Sequence, residues 1–293
     1  MKKALALLLV MMMAMLALVG CGGGEANNGE KLEAKINIEE ILGHKPTGRL
    51  AEILEKGELE FTTSPDYPPY EFVNPELSGD EQYVGADVEL AKYIADQMGV
   101  KIKFEIMDFD GVLTNMTQGL SDLAVSGLSP KPDRQEAMDF TIEYDGSGEG
   151  YHGVMIPVSE KANYKEFADF KGKTIGVQNG SLQEELANIH LKDANIKPIV
   201  KLGDGVMMLN NGTIDGLVIA STTGDSYIKN YDNLCMSYVV LDSSNVGMAA
   251  AVPKGEDDLL AVVNYIIEDV LEQDLINTWV NEAKQLQDDL GLE

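Results

Sequence analysis

Arg134 lies in Pro130-Lys131-Pro132-Asp133-Arg134-Gln135, five residues beyond Ser129. A guanidinium offers a planar fork of donors that grips a carboxylate through two parallel hydrogen bonds. The same Arg could equally be a surface cation paired with Asp133 or Glu136, and the sequence leaves both readings open. Just upstream, Ser126-Gly127-Leu128-Ser129 offers two hydroxyls and a glycine that bares the backbone. Ala220-Ser221-Thr222-Thr223 offers a second cluster of hydroxyls. Tyr67 and Phe109 fall in or beside loops that follow predicted strands, where a ring face can sandwich a small ligand or simply join the core. Signals for catalysis are weak. There is no Gly-x-Ser-x-Gly elbow and no phosphate loop of the Gly-x-x-x-x-Gly-Lys type, and His44, His152 and His190 are widely scattered. Neither a metal nor another cofactor is expected.

The elements that must position these residues follow from periodicity. Strands are predicted at Glu58–Thr62, Lys101–Ile106, Leu123–Val125, Lys173–Val177, Pro198–Lys201 and Gly216–Ile219, and helices at 49–56, 85–98, 111–118, 182–191, 205–210, 257–271 and 274–289. Strand–helix alternation predicts α/β layers with mostly parallel sheets. An internal repeat divides them. Asp110-Gly111-Val112, then Gly119, Asp122 and Val125, recurs as Asp204-Gly205-Val206, then Gly212, Asp215 and Val218. Each copy reads as a helix, a glycine stop and a strand opened by Asp, so two similar lobes are expected. Ligands of open α/β sheets bind beyond the carboxyl ends of the strands. The two strands of the repeat end at the two hydroxyl clusters, which predicts a cleft between facing lobes.

The chain has 293 residues, with 22 Lys+Arg against 49 Asp+Glu and a net charge of −27. Nucleic-acid binding is excluded for want of a basic face. The N-terminus reads as an address. Lys2 and Lys3 precede an apolar run from Ala4 to Val19, which ends in Leu18-Val19-Gly20-Cys21 and three glycines. This is the pattern of a secretory signal, and its Leu-Val-Gly-Cys ending resembles a bacterial lipobox. Residues 1–20 are therefore expected to be a lipoprotein signal peptide, Cys21 a lipid anchor and 21–48 a tether. The mature protein is expected outside the cytoplasm, held to the cell membrane through Cys21. Cys235 then has no intramolecular partner and reads as a buried, inert thiol.

Taken together, the chain resembles the extracellular solute-binding proteins of family 3, the polar amino-acid receptors of ABC importers. The stretches that carry this resemblance are Tyr67-Pro68-Pro69-Tyr70-Glu71-Phe72, Gly85-Ala86-Asp87-Val88-Glu89-Leu90-Ala91, Met107-Asp108-Phe109-Asp110-Gly111, Ser126-Gly127-Leu128-Ser129 with Arg134-Gln135, and Lys171-Gly172-Lys173-Thr174-Ile175-Gly176-Val177. They span about residues 49–290. The resemblance implies a type II periplasmic-binding-protein-like α/β fold of two lobes joined by two hinge strands, lobe 1 holding 49–147 and 243–293, lobe 2 holding 148–242. It implies a monomer that closes on a small carboxylate ligand and delivers it to a membrane permease. Arg134 would hold the ligand's α-carboxylate, with Ser126, Gly127, Leu128, Ser129 and Ser181 beside it. Tyr67 and Phe109 would flank the ligand, and Gln178 would touch its side chain.

Three positions depart from the family pattern. The Asp that takes the α-ammonium in relatives is Ala220 here. A Thr or Gly common after Ser181 is Leu182, and an acid found in receptors for basic ligands is Ser64. A buried ammonium without a counter-charge costs several kcal/mol. Three readings therefore stay open: Asp225 or Glu149 replaces the missing acid, the ligand is read through hydroxyls and a ring face, or it lacks an α-amine. A cyclohexadienyl-dehydratase-like enzyme on the same fold is the rival reading.

Overall fold

A computed structural model describes residues 32–145, 150–241 and 247–291. Its frame is twelve strands: β1 Glu58–Thr63, β2 Phe72–Val73, β3 Tyr83–Val84, β4 Lys101–Ile106, β5 Leu123–Ala124, β6 Met138–Asp145, β7 His152–Pro157, β8 Thr174–Gln178, β9 Asn195–Ile199, β10 Gly216–Ala220, β11 Leu234–Leu241 and β12 Met248–Pro253. Two five-stranded sheets have matching orders, β4-β1-β5-β12-β6 and β9-β8-β10-β7-β11, and β2 pairs with β3 alone. In the first sheet β4, β1 and β5 are parallel and β12 runs against β5 and β6. In the second, β9, β8 and β10 are parallel and β7 runs against β10 and β11. The chain leaves the first sheet after Asp145 and returns to it at Met248. The lobe boundaries expected at 147/148 and 242/243 lie outside the described residues, as do Cys21, the signal segment and Glu149.

The repeat predicted from sequence is a repeated hydrogen-bond device. Asp122 N–H donates to Glu60 O at 2.9 Å, and Glu60 N–H donates back to the Asp122 carboxylate at 2.8 Å. Asp215 N–H donates to Thr174 O at 2.8 Å, and Thr174 N–H returns to Asp215 at 2.8 Å. Each Asp thus pins the entry of one parallel strand to its neighbour and holds their register.

Helices cover both sheets. The predicted stripe on Ala86–Met98 is buried at Val88, Leu90, Ala91, Ile94, Ala95 and Met98. It joins Phe61 of β1 and the buried face of Asp257–Glu272 in one core. The second sheet packs Val154, Val177 and Val218 against Leu182–His190 on one side, and Ile199, Leu217 and Ile219 against Leu202–Asn210 on the other. Gly85 starts the first of these helices at φ 120°, and a Cβ there would lie 2.2 Å from Tyr70 O. Gly85→Ala is expected to destabilise the protein by at least about 2 kcal/mol, a strain no neighbour can relieve because the obstacle is backbone; chemical denaturation measures it.

Six strands were not predicted: the small β2–β3 pair, and β6, β7, β11 and β12, which form the antiparallel half of each sheet. Ala249-Ala250-Ala251 has the strongest helix propensity available, yet all three residues are fully buried in β12. Tertiary pairing overrides propensity there. β9 begins three residues earlier than predicted and includes Pro198, which its edge position tolerates. Residues 32–48, predicted to be tether, pack on the first sheet's helices. Ile38 is buried, Lys35 N–H donates to Gln97 O at 2.9 Å, and Thr47 donates through N–H and hydroxyl to Asp258 at 2.8 and 2.7 Å. Cys235 is half-buried on β11, and burial raises its thiol pKa. Among the described residues no helix is long and apolar enough to cross a membrane.

Candidate functional site

Strands β1, β5, β8 and β10 all end at one cleft of about 120 Å³ between the two sheets. From the first sheet come Asp66 and Tyr67 after β1, Phe109 at the start of helix Phe109–Thr117, Ser126, Gly127 and Ser129 after β5, and Arg134 on the short helix Pro132–Ala137. From the second come Gln178 ending β8, Ser181 and Leu182 at the start of Leu182–His190, and Ala220 ending β10. All of these were singled out in the sequence except Asp66. Leu128 differs from its neighbours. It is fully buried with Phe109, Val112 and Met116, and its carbonyl accepts from Ala249 N–H at 2.9 Å. The turn at Gly127, φ +55°, separates it from Ser126, and its side chain joins the core instead of the cleft.

Arg134 is 6% exposed. Its Nη1 donates to Ser129 O at 3.0 Å and its Nη2 to Gly180 O, across the cleft, at 2.9 Å. Its guanidinium lies 5.5 Å from the centre of the Phe109 ring. Among the described residues it forms no ion pair, so the surface pairing with Asp133 or Glu136 is not made. Burial lowers its pKa to about 10, with distant Asp133 and Glu185 opposing. It stays charged at neutral pH, desolvated and with donors still to spend.

The hydroxyls are more committed than the sequence suggested. Ser126 donates to Glu71 at 3.0 Å and accepts from Ser64 N–H at 3.0 Å. Ser181 donates to Gln178 O at 2.7 Å and caps its helix by accepting from Glu184 N–H at 3.1 Å. Gly127 donates its N–H to Asp87 at 2.7 Å. Its φ of +55° suits glycine, and a Cβ there would come within 3.2 Å of the Tyr67 ring. This turn lets the Tyr67 ring lie against the backbone, stacked on Tyr70 with centroids 5.8 Å apart.

Thr222 of the second hydroxyl cluster also lines the cleft, and residues that sequence reasoning missed complete it: Asp66, Tyr70, Glu71, Asp145, Gly150, Tyr151, His152, Gln183, Gly247 and Met248. Tyr70 donates to Asp145 at 2.7 Å. His152 stands opposite Ala220 in the sheet and lies 3.2 Å from Gln183 through Nδ1. Burial pushes its pKa down to about 4, so it is neutral, and among the described residues Arg134 is the one charged cation of the lining. Folded protein therefore binds fewer protons than unfolded protein between about pH 6.5 and 4, and stability is lost as pH falls through that window. A His152→Asn variant is expected to lose this component of the acid melting curve. Asp225, a proposed substitute for the missing acid, is exposed on helix Ser221–Ile228 and lies outside the lining.

Several contacts tie the two sides of the cleft together. The Asp66 carboxylate accepts from Leu202 N–H at 2.8 Å and from Gln178 Nε2 at 3.1 Å. Tyr227 donates its hydroxyl to Asp66 O at 3.1 Å, and Lys131 pairs with Glu185 at 2.8 Å.

The family model of bacterial extracellular solute-binding proteins, family 3, matches residues 59–282. The arginine-binding extracellular protein ArtP of Bacillus subtilis (strain 168) is 32% identical over 208 residues, covering 70% of this chain and 77% of that protein. A crystal structure of an amino acid ABC transporter substrate-binding protein from Streptococcus pneumoniae, bound to L-arginine, superposes with a TM-score of 0.76 at 30% identity, covering 82% of this chain and 98% of that one. An ancestral amino acid-binding protein described as a precursor of cyclohexadienyl dehydratase gives a TM-score of 0.70 at 25% identity, covering 80% and 99%. The fold is the expected type II periplasmic-binding-protein architecture.

Proposed function

Since the chain belongs to the bacterial extracellular solute-binding proteins, family 3, we propose that its cleft captures a free amino acid by the carboxylate and presents it to the membrane permease of an ABC importer. The observation that carries this reading is Arg134: a buried guanidinium, aimed from one side of the cleft and already bonded to Gly180 O on the other. A ligand carboxylate would supply the counter-charge that no described residue gives. It would favour the closed arrangement, because Arg134, Ser129 and Gly180 meet around it only when both sides approach.

The α-amine is the open half of recognition. Ala220 offers no charge and Asp225 lies away from the cleft. The carboxyls that line it are Asp66, Glu71 and Asp145, and even with Glu71 neutral the other two outnumber the cation. That balance favours a ligand carrying positive charge. Arginine, the ligand of the two similar proteins described above, is the first to test.

The experiment is a thermal-shift and calorimetric panel that pairs arginine, lysine, histidine, glutamine and cystine with their deaminated analogues. Stabilisation follows RT ln(1 + [L]/Kd), so a micromolar binder at millimolar dose gives about 4 kcal/mol. Amino acids shifting the melt while their deaminated partners do not is the expected result. The reverse order would reassign the receptor to amine-free acids. Incubation with prephenate is the control for the dehydratase reading, and no turnover is expected. Anchoring through Cys21 completes the proposal: Cys21→Ala is expected to release the protein into the soluble fraction of cells.

A further inference from the structure

Beneath the Ser126–Ser129 turn lie two carboxyl groups buried together, Glu71 and Asp87. Each has one oxygen bonded to donors. Glu71 Oε1 accepts from Ser126 Oγ at 3.0 Å. Asp87 Oδ2 accepts from Gly127 N–H at 2.7 Å and from the Tyr144 hydroxyl at 2.8 Å. The remaining oxygens, Glu71 Oε2 and Asp87 Oδ1, are buried and have no donor from any other residue. The two carboxyls hang from adjacent residues of the turn, Ser126 and Gly127, and each acts on the other's ionisation. Carboxylate oxygens only accept, so neither orphan oxygen can satisfy the other without a proton.

We propose that Glu71 and Asp87 hold one shared proton, and that this carboxyl–carboxylate pair pins the Ser126–Gly127 turn in the conformation that faces the ligand. Asp87 already accepts two donors and Glu71 one, so the proton sits on Glu71 Oε2 and is donated to Asp87 Oδ1. The arrangement then satisfies all four oxygens and leaves one buried negative charge. Losing the proton would leave two, and two buried oxygens with no donor at all. The groups facing the pair give no relief. Tyr144 and Asp145 face it from β6, and Asp66, Tyr67 and Tyr70 from the preceding loop, all neutral or acidic. Burial, then the neighbouring Asp87 charge, drives Glu71 well above the ordinary carboxylate range, and burial raises Asp87 to about 6. The two titrate as a unit. The link to ligand affinity rests on the cleft being the amino-acid site; the pair itself does not.

The sign of the pH effect follows. Between the ordinary carboxylate range and the pair's own titration, folded protein holds one proton that unfolded protein has released, so stability falls as pH rises. Glu71→Gln replaces the shared proton with a permanent amide donor and removes that linkage. Relative to Glu71→Gln, the wild-type unfolding constant is expected to rise about tenfold per pH unit from about pH 5 upward. Infrared spectra of the ligand-free protein near neutral pH should show a protonated carboxyl band that Glu71→Gln lacks. Asp87→Asn, which can also donate between the two groups, is the second variant if the first fails to fold. Glu71→Ala, with no donor, should not rescue what Glu71→Gln does. Equal pH slopes for wild type and variant, or no protonated carboxyl band in wild type, would overturn the proposal. With L-arginine as probe, Kd should weaken with pH above the pair's titration in wild type and not in Glu71→Gln. A protein with the stability slope but no arginine binding would keep the proton pair and remove arginine as the ligand.

Discussion

Arg134→Ala is expected to weaken ligand binding by roughly a hundredfold or more, while leaving the fold intact. In wild type the guanidinium is desolvated by burial and has no carboxylate partner among the described residues. A ligand carboxylate entering the variant would lose its water and find no counter-charge. Truncating one partner of a buried, hydrogen-bonded charge pair costs on the order of 2–5 kcal/mol. The ligand-free protein should lose much less. Arg134 contributes two hydrogen bonds to carbonyls and a contact with Phe109, but it also imposes the cost of an unpaired buried cation. Ser129 O keeps the Lys131 N–H at 2.8 Å after truncation. Arg134→Lys keeps the charge without the planar fork and should fall between the two. Calorimetric titration with arginine, beside a denaturation curve, separates binding from fold. An unchanged Kd in Arg134→Ala would remove the carboxylate clamp, and a large loss of stability would make the residue structural instead.

The way Arg134 emerges shows what a single sequence can and cannot carry. Its type and its place after the β5 exit pointed to a carboxylate, yet its burial and its bond to Gly180 come from a segment 46 residues away. No local pattern encodes that. The repeat was legible because Asp122 and Asp215 answer a local need, satisfying the backbone of an adjacent strand. The parallel halves of both sheets were legible for the same reason, since helix and strand periodicities alternate there. The antiparallel halves were not. In β12 the alanines signal helix, and only the partners β5 and β6 make them a strand. The acids of the cleft were hidden by abundance. Among 49 Asp+Glu, nothing local distinguishes Asp66, Glu71 and Asp87 from a solvated surface. The serines show the opposite limit. Their hydroxyls were visible, but Ser126 and Ser181 spend their protons on Glu71 and on the Gln178 carbonyl, so the count of donors left for a ligand needed the fold.

Asp66→Ala is expected to raise the ligand dissociation rate by roughly tenfold to a hundredfold without disturbing the carboxylate clamp. The helix Leu202–Asn210 has Lys201 at its N-cap position, and that side chain makes no capping bond. Asp66 supplies the cap from across the cleft, accepting the Leu202 N–H at 2.8 Å. A carboxylate at a helix N-terminus meets both an unpaired N–H and the positive end of the helix dipole. Gln178 Nε2 and the Ser64 hydroxyl add further donors at 3.1 and 3.2 Å. Hydrogen bonds to a charged group are worth about 1.5–3 kcal/mol, and these to Leu202 and Gln178 exist only while the two sides are together. Removing them penalises the closed state alone, and apparent affinity falls with the closed fraction. Because Asp66 also lines the cleft, a second variant must separate latch from ligand contact. Lys201→Ser lies outside the lining and gives the helix a cap of its own, which competes with Asp66 for the Leu202 N–H. It should raise the dissociation rate in the same direction, and small-angle scattering with ligand bound should show both variants more open than wild type. If Asp66→Ala speeds release and Lys201→Ser does not, Asp66 holds the ligand and not the cleft.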